Sequence, residues 1–296
     1  MEIHSYSGQD RGDASSTTSY RWGTPPPGEL HAADTRAHLA VATRELRAAY
    51  EALSASAVAR GYLSGAFRWD GVEIEEGDLV DIDGRVLESR EFAQLLMIFS
   101  GSRVHEQAER EHGPDDRPPG TYYTTINPAV VHEGHKNRVG IYVEEDGPSL
   151  YIEGATDDEP LGIAVPVAAA VHVDHFYLRD RAPDGLGTIA FALCAMVAHR
   201  IGYRHISLIA GGGVGHDPKM IGFKFWPKVG FDADLEPGET DTSPHLAACR
   251  TVQDVVELDE AWWDQYGSQR LMEFDLAADR PSWRKLLDYL HGKEMI

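Results

Sequence analysis

At roughly 150 residues per domain, a chain of 296 residues is two domains or one large domain with an extension. Hydrophobic residues make up 42% and charged residues 25%, enough for a globular core, while 27 Lys and Arg against 48 Asp and Glu leave a net charge of −21. That field repels phosphate backbones and anionic lipid headgroups, so general nucleic-acid binding is excluded. No apolar run approaches the roughly 18 residues that span a bilayer, and Met1-Glu-Ile-His4 opens without a basic region followed by an apolar one. A soluble, cytoplasmic protein with no membrane partner is expected. Two cysteines, Cys194 and Cys249, are too few for a disulfide framework or a Cys-rich zinc site.

Residues 1–28 hold Ser, Thr, Gly and Asp with the run Pro25-Pro-Pro27 and little to bury, which predicts a disordered tail. From Glu29 to about Ala59, Leu39, Val41, Leu46, Tyr50 and Leu53 recur at near-helical spacing and predict one or two amphipathic helices. Val72 to Val86 alternates around Glu76-Gly77 and Asp83-Gly84, two turn signals that predict short hairpin strands. Ser89 heads a helix through Phe92, Leu95, Leu96 and Phe99, and the charged, Pro-rich stretch from Val104 to Gly120 reads as a boundary or a surface loop.

Strands are predicted at Tyr122–Ile126, Val139–Glu144 and Leu150–Glu153, the last two joined by the turn Glu145-Asp-Gly147. Ile163 to Leu178 is β-rich, interrupted at Pro166, with a central strand at Val171–Leu178. A helix from Leu186 to Arg200 stops at Gly202. Ile206–Ala210 is a short strand, Gly211-Gly-Gly213 frees the backbone, and a second short helix follows around Met220 to Lys228. There is no internal repeat.

The informative segment runs from His172 through Asp174, His175, Phe176, Tyr177, Leu178, Arg181, Gly185, Leu186 and Gly187 to Thr188: a strand, a turn with glycines two apart, then an apolar helix. Glycines there admit an anion close to the backbone, and a helix start supplies unsatisfied N–H groups and the positive dipole end, as a pyrophosphate cradle requires. A plain strand-to-helix turn needing small residues has the same pattern. The dinucleotide fingerprint needs a third glycine near Ala190 and an acid ending the next strand, where Ala210 and Gly211 stand, so that reading fails.

Some forty residues on stands Ile221-Gly-Phe-Lys-Phe-Trp-Pro-Lys-Val-Gly-Phe231, an aromatic helix ending at Gly230 before a strand from Phe231. Strand, glycine turn, long helix, short strand and aromatic helix in this order resemble the GNAT superfamily of acyl-CoA-dependent N-acyltransferases. The resemblance covers about residues 120–276, with its specific part at 171–231. Gly185 and Gly187 match the glycines of the family's loop; its basic position holds Ala182, with Arg181 one residue further out. The resemblance implies that backbone N–H groups at Phe176, Tyr177 and Leu178 hold the pantetheine of acetyl-CoA or another acyl-CoA. It implies further that Arg181 and the Gly185-Leu186-Gly187-Thr188 turn hold pyrophosphate.

Arg200, Arg204, Lys219, Lys224 and Lys228 stand against the single acid Asp217 between His199 and Gly230, a local positive field suited to a polyphosphate or a set of solvated lysines. The strand Arg270–Leu276 is placed to pair with the one starting at Phe231. Between them lies an insertion at about 236–266, with a helix at Pro244–Leu258 and the aromatics Trp262, Trp263 and Tyr266. Residues 231–260 carry nine acids and one Arg, so the insertion forms either an acidic, aromatic wall for an amine or an outer helix packed on the core.

Amine acylation needs a base for the attacking ammonium, and His172, Asp174 and His175 lie together on the central strand. Period-two geometry puts His172 and Asp174 on one face and His175 with Tyr177 on the other, unless a bulge intervenes, which makes His172 or Asp174 the first choice. Trp226 occupies the position at which the family frequently has a tyrosine general acid. Indole N–H is a donor only, so Ser207 or Tyr177 would have to replace it, or acid catalysis is dispensable or lost. His132 and His135 are three apart around Gly134, the wrong spacing for the helical zinc motif, and no metal is expected.

The expected fold is therefore α/β (α+β): a central mixed, mostly antiparallel sheet flanked by helices. A mainly helical extension at 29–115 precedes the acyltransferase-like domain at 116–296. The expected function is acyl transfer, with acetyl the first choice, to an amine of a small molecule or peptide. The alternatives are a non-catalytic ligand- or partner-binding module on the same fold, or an enzyme drawing its acyl group from a carrier protein; an oligomer is compatible with either.

Overall fold

The computed structural model describes residues 33–82, 85–114, 117–132, 134, 136–143 and 169–296, with side chains from residue 43 onward. The tail expected at 1–28, the strand at 150–153, its turn at 145–147 and the break at Pro166 lie outside the described residues.

Two helices open the described chain, α1 (Ala33–Ser54) and α2 (Ala57–Tyr62), separated where the Ser56 hydroxyl accepts the Ala59 N–H and caps the second. Leu46, Ala49 and Leu53 are the buried stripe of α1. A hairpin follows, β1 (Phe67–Trp69) and β2 (Val72–Ile74), then a separate two-stranded ribbon, β3 (Leu79–Ile82) and β4 (Arg85–Glu88), and the short helix α3 (Ser89–Leu95). The first hairpin turns on Asp70-Gly71, both at positive φ (45° and 92°) as a tight two-residue turn requires. Glu76-Gly77, expected to close a hairpin, instead leads from β2 to a strand of the other sheet.

The main sheet continues with β5 (Arg103–Glu109), β6 (Gly120–Ile126), β7 (Asn137–Val143), β8 (Ala169–His175), β9 (His205–Gly213) and β10 (Ser268–Asp275). Its eight strands run in the order β10-β9-β8-β7-β6-β5-β1-β2, parallel at β8–β9 and β1–β5 and antiparallel elsewhere, which is the mixed α/β class expected. The boundary drawn near residue 115 does not separate two packing units. Strands β5 and β6 pair across it from Arg103↔Ile126 to Glu109↔Gly120, and one core cluster runs from Leu46 to Leu290. Helices α1, α2 and α3 make up most of the regular structure before residue 115, but β1, β2 and β5 from this region belong to the main sheet.

Helix α4 (Leu186–Arg200) is the axis of the helical layer, buried along nearly its whole length; α1, α2 and α3 pack against it. Its Phe191 meets Trp226 of α5 (Gly222–Lys228), Phe231, and Phe274 of β10, with ring centroids 5.1–5.5 Å apart. Gly211-Gly-Gly213, expected to free the backbone before the next helix, form the end of β9. The strand expected at Phe231 contracts to a bridge, Asp232↔Glu273, closed by two backbone hydrogen bonds of 2.9 and 2.8 Å. In the insertion the helix is displaced toward the C-terminus: a 3-10 turn at Pro244–Leu246, then α6 (Val252–Tyr266), started by a Thr251–Asp254 capping box and kinked at Asp259. Helix α7 (Pro281–Gly292) buries Trp283, Leu286 and Leu290.

Candidate functional site

Strands β8 and β9 are parallel neighbours over only three residue pairs, Val171↔Ile206, His172↔Ser207 and Val173↔Leu208. Both continue, β8 to His175 and β9 to Gly213, without pairing with each other further. Asp174 and His175, the last residues of β8, stand past the paired stretch, and Phe176, Tyr177 and Leu178 continue the chain beyond them.

A β-bulge sits at the end of β8: Arg138 of β7 opposes His175, while the next pair is Val139↔Val173, so Asp174 is the extra residue. Strict alternation, which separates Asp174 from His175, therefore breaks here. The two meet instead, His175 Nδ1 lying 3.5 Å from Asp174 Oδ2. That same oxygen accepts from Arg117 Nη1 at 3.0 Å and Arg138 Nη1 at 3.2 Å. Both guanidinium groups also bond Glu109, Arg117 through Nε and Nη2 at 3.1 and 2.8 Å, and Arg138 through Nη2. The Tyr122 ring is faced by both, 5.3 Å from Arg117 and 4.6 Å from Arg138. It lies over Gly140, where a Cβ would come within 2.4 Å of the ring, so only glycine fits opposite it.

The electrostatics sort the three expected bases. Burial drives the pKa of His172 down to about 4, Arg117 and Arg138 adding to the effect and Asp174 opposing it. His172 is 2% exposed and its Nδ1 is engaged with Ser207 Oγ at 2.9 Å, which sits with Tyr142 and His205 in one chain: Tyr142 OH is 3.2 Å from Ser207 Oγ and 2.6 Å from His205 Nε2. First choice by strand pattern, His172 is thus an interior neutral histidine. Burial alone would raise the Asp174 pKa, but the His175 hydrogen bond and the two arginines carry it below the ordinary value. His175, with its side chain 54% exposed, moves upward, first through its hydrogen bond to Asp174, against burial and the charges of Arg138 and Arg117. An exposed imidazole backed by a carboxylate is the arrangement suited to taking a proton near neutral pH.

The turn before α4 fits an anion in part. Gly185 is the N-cap in the left-handed region (φ 75°), Leu186 N–H donates to Pro183 O and Ile189 N–H to Gly185 O. Among the described residues the Gly187 and Thr188 N–H groups find no acceptor, and they are the pair such a cradle would use. Gly187 packs between Phe176 and Leu178, each 3.4 Å from the place a Cβ would take. Arg181 is exposed with Nη2 3.1 Å from Pro128 O. Met295 Sδ and Cε lie against Gly185.

Other expected contributors are otherwise engaged. Tyr177 donates its N–H to Asn137 Oδ1 at 2.8 Å, so that N–H is not left for a pantetheine, and its carbonyl accepts the His132 N–H. The positive field does not converge: Arg200 pairs with Glu91 at 2.5 Å, Lys228 with Glu260 at 2.5 Å, and the Lys224 ammonium lies 5.4 Å over the Phe223 ring. Trp226 stands in the aromatic core against Phe191 and Phe231. Trp263 is buried with Nε1 on Phe223 O, and Trp262 donates to Ser243 Oγ, the packing role rather than an open wall; Tyr266 is exposed. His132 meets the edge of Tyr177, and His135 lies outside the described residues, among which no cluster of metal-binding side chains occurs.

Sequence reasoning missed Glu109, Arg117, Arg138, Tyr122, Tyr142 and His205. The first two fall in or beside a stretch that reads as a charged loop, and nothing local joins them to a strand 57 residues away from Arg117. A histidine following an aspartate at the end of a strand was the only signal for the pair. No known protein family, curated protein or solved structure matches this chain.

Proposed function

We propose that the protein is an acyl-CoA-dependent N-acyltransferase with the GNAT type of fold, and that His175, held by Asp174, is its general base. One observation carries this reading: two adjacent parallel strands that pair over only three residues, the first of them leading through residues 176–184 to a glycine turn and the start of a buried helix. Strands that part beyond so short a pairing would let an extended arm pass between them while the helix start holds the anionic end of the same molecule. Acyl-CoA would supply the acyl group as a thioester, whose carbonyl carbon the amine nitrogen attacks as the C–S bond breaks. Gly187 and Thr188 N–H groups with Arg181 would hold the diphosphate. His175 takes the proton from the ammonium, and Asp174 stabilises the imidazolium that forms. The thiolate is protonated from solvent or from that imidazolium, since Trp226 lies in the core and cannot do it.

The burial of Trp226 and the contact of Met295 with Gly185 favour a second reading, a binding module on the same frame that holds an acyl-CoA without turnover. Two measurements separate the readings. CoA should raise the melting temperature of the parent, by the equivalent of about 2.7 kcal/mol at a hundred times Kd, and Gly187→Glu should remove the shift. Thiol release on a panel of amines should fall about 10²- to 10⁴-fold in His175→Gln with the CoA shift retained. A CoA shift without thiol release on any amine supports the module; equal CoA shifts in parent and Gly187→Glu overturn the cradle.

A further inference from the structure

The Asp174–His175 pair is held from outside its own strand, and the hold rests on a single atom. Asp174 Oδ2 receives Arg117 from the segment just before β6, Arg138 from β7 and His175 from the bulge itself. Arg117 is the member that reaches farthest in sequence, and it is fixed at its other end, two of its nitrogens lying on Glu109 Oε2 of β5. Its side chain, like those of Arg138, Glu109 and Asp174, is only 12–15% exposed, so these charges act through a medium less screening than water. Gly113 sits so close to the Arg117 guanidinium that a Cβ would meet it at 2.5 Å, which packs the preceding segment around the same side chain.

We propose that Arg117 is a positioning residue for His175: it fixes the Asp174 carboxylate at the bulge and offsets its charge, and so sets the proton affinity of the imidazole. The assignment rests on the reading of His175 as the base. Among the described residues the charged groups that act on His175 are Asp174 on its own strand, Arg138 on β7 and Arg117; behind them Glu109 on β5 pairs with both arginines, and Tyr122 on β6 lies under the arginines and against His172. Two cations and two carboxylates nearly cancel, leaving the imidazole governed by the carboxylate that touches it. Removing one cation unbalances the set toward negative charge and favours the imidazolium; removing one carboxylate does the reverse. A residue that merely packed the loop would leave the midpoint where it is.

The test is the NMR titration of the His175 ring in the intact protein, its resonance identified by loss in His175→Gln. Arg117→Gln should raise the midpoint by about half a pH unit, the scale expected for one unit charge several ångströms away in a partly screened site. Arg117→Lys, which restores the charge, should return it toward the parent value. Glu109→Gln should move it the other way, and this variant decides the matter should Arg117→Gln not fold. An unchanged midpoint in Arg117→Gln or, failing its folding, in Glu109→Gln overturns the assignment. The titration needs no turnover, so absence of thiol release in the parent condemns the acyltransferase reading separately.

Discussion

The two faces of the main sheet are built on opposite principles. On the helical side Val171, Val173, Tyr123, Ile206 and Leu208 pack into one core with α4, and the contacts are aliphatic and aromatic. On the other side the same strands present Tyr122, His172, Asp174, Ser207 and Tyr142, joined by hydrogen bonds and ion pairs. Dispersion and area burial tolerate small rearrangements and are non-directional; a buried polar network costs heavily when any member loses its partner. The first face therefore supplies most of the stability, and the second supplies geometry. Chemistry that needs a base of fixed orientation belongs on the second, which is where the bulge puts His175.

Removing bulk from the helical side should give the largest loss. Phe191 is fully buried between Trp226, Phe231 and Phe274, so Phe191→Ala should cost about 3–5 kcal/mol in urea unfolding at pH 7 through lost burial and the cavity left. Its loss should be independent of pH between 5 and 7. A cost under 1 kcal/mol would mean that the aromatic cluster around α4 is not the organising core.

The polar face should instead reveal itself through pH. His172 has its pKa lowered on folding from about 6.5 to about 4, so below 6.5 the unfolded chain binds the proton that the folded chain refuses. Stability from this group is complete above pH 6.5 and falls as the pH drops toward 4; by pH 5 the loss should be about 2 kcal/mol. His172→Gln has no titrating ring and should lose that part of the difference between pH 7 and pH 5, whatever its absolute stability. An identical pH dependence in the two proteins would show that His172 charges freely in the folded state.

Legibility followed the same divide. Helix α4 was readable to its ends because its apolar run, its opening glycines and Gly202 are all local signals, and Gly202 indeed takes the left-handed conformation (φ 83°). The strand order was not, since the pairing of β5 with β1 and of β9 with β10 joins segments that no periodicity connects. At the site, His172, Asp174, His175 and Ser207 were picked out by type and strand position, yet their roles turned on the one-residue bulge at Asp174. Arg117 was invisible for a related reason: its partner Asp174 is chosen by the fold, 57 residues on, and its own surroundings are Pro and charge. The hairpin at Asp70-Gly71 was legible and overlooked, because the neighbouring Glu76-Gly77 offers the same type of signal without closing a hairpin.

The smallest expected effect isolates hydrogen bonding on the polar face from volume. The Tyr142 hydroxyl stands between His205 Nε2 at 2.6 Å and Ser207 Oγ at 3.2 Å, and Ser207 Oγ is also 2.9 Å from His172 Nδ1. Tyr142→Phe deletes the bridging atom and keeps the ring, so neither a cavity of consequence nor a strand distortion should follow. Ser207 retains His172, whereas His205 loses a short contact at a buried position. The cost should be about 1 kcal/mol by urea unfolding at pH 7, the scale of one net hydrogen bond. Because Ser207 then turns wholly toward His172, the His172→Gln change should cost more in the Tyr142→Phe background than alone, and the double-mutant cycle measures that coupling. Strict additivity would show that the four side chains are neighbours rather than a chain, and the contrast between the two faces would then rest on Asp174 and its arginines alone.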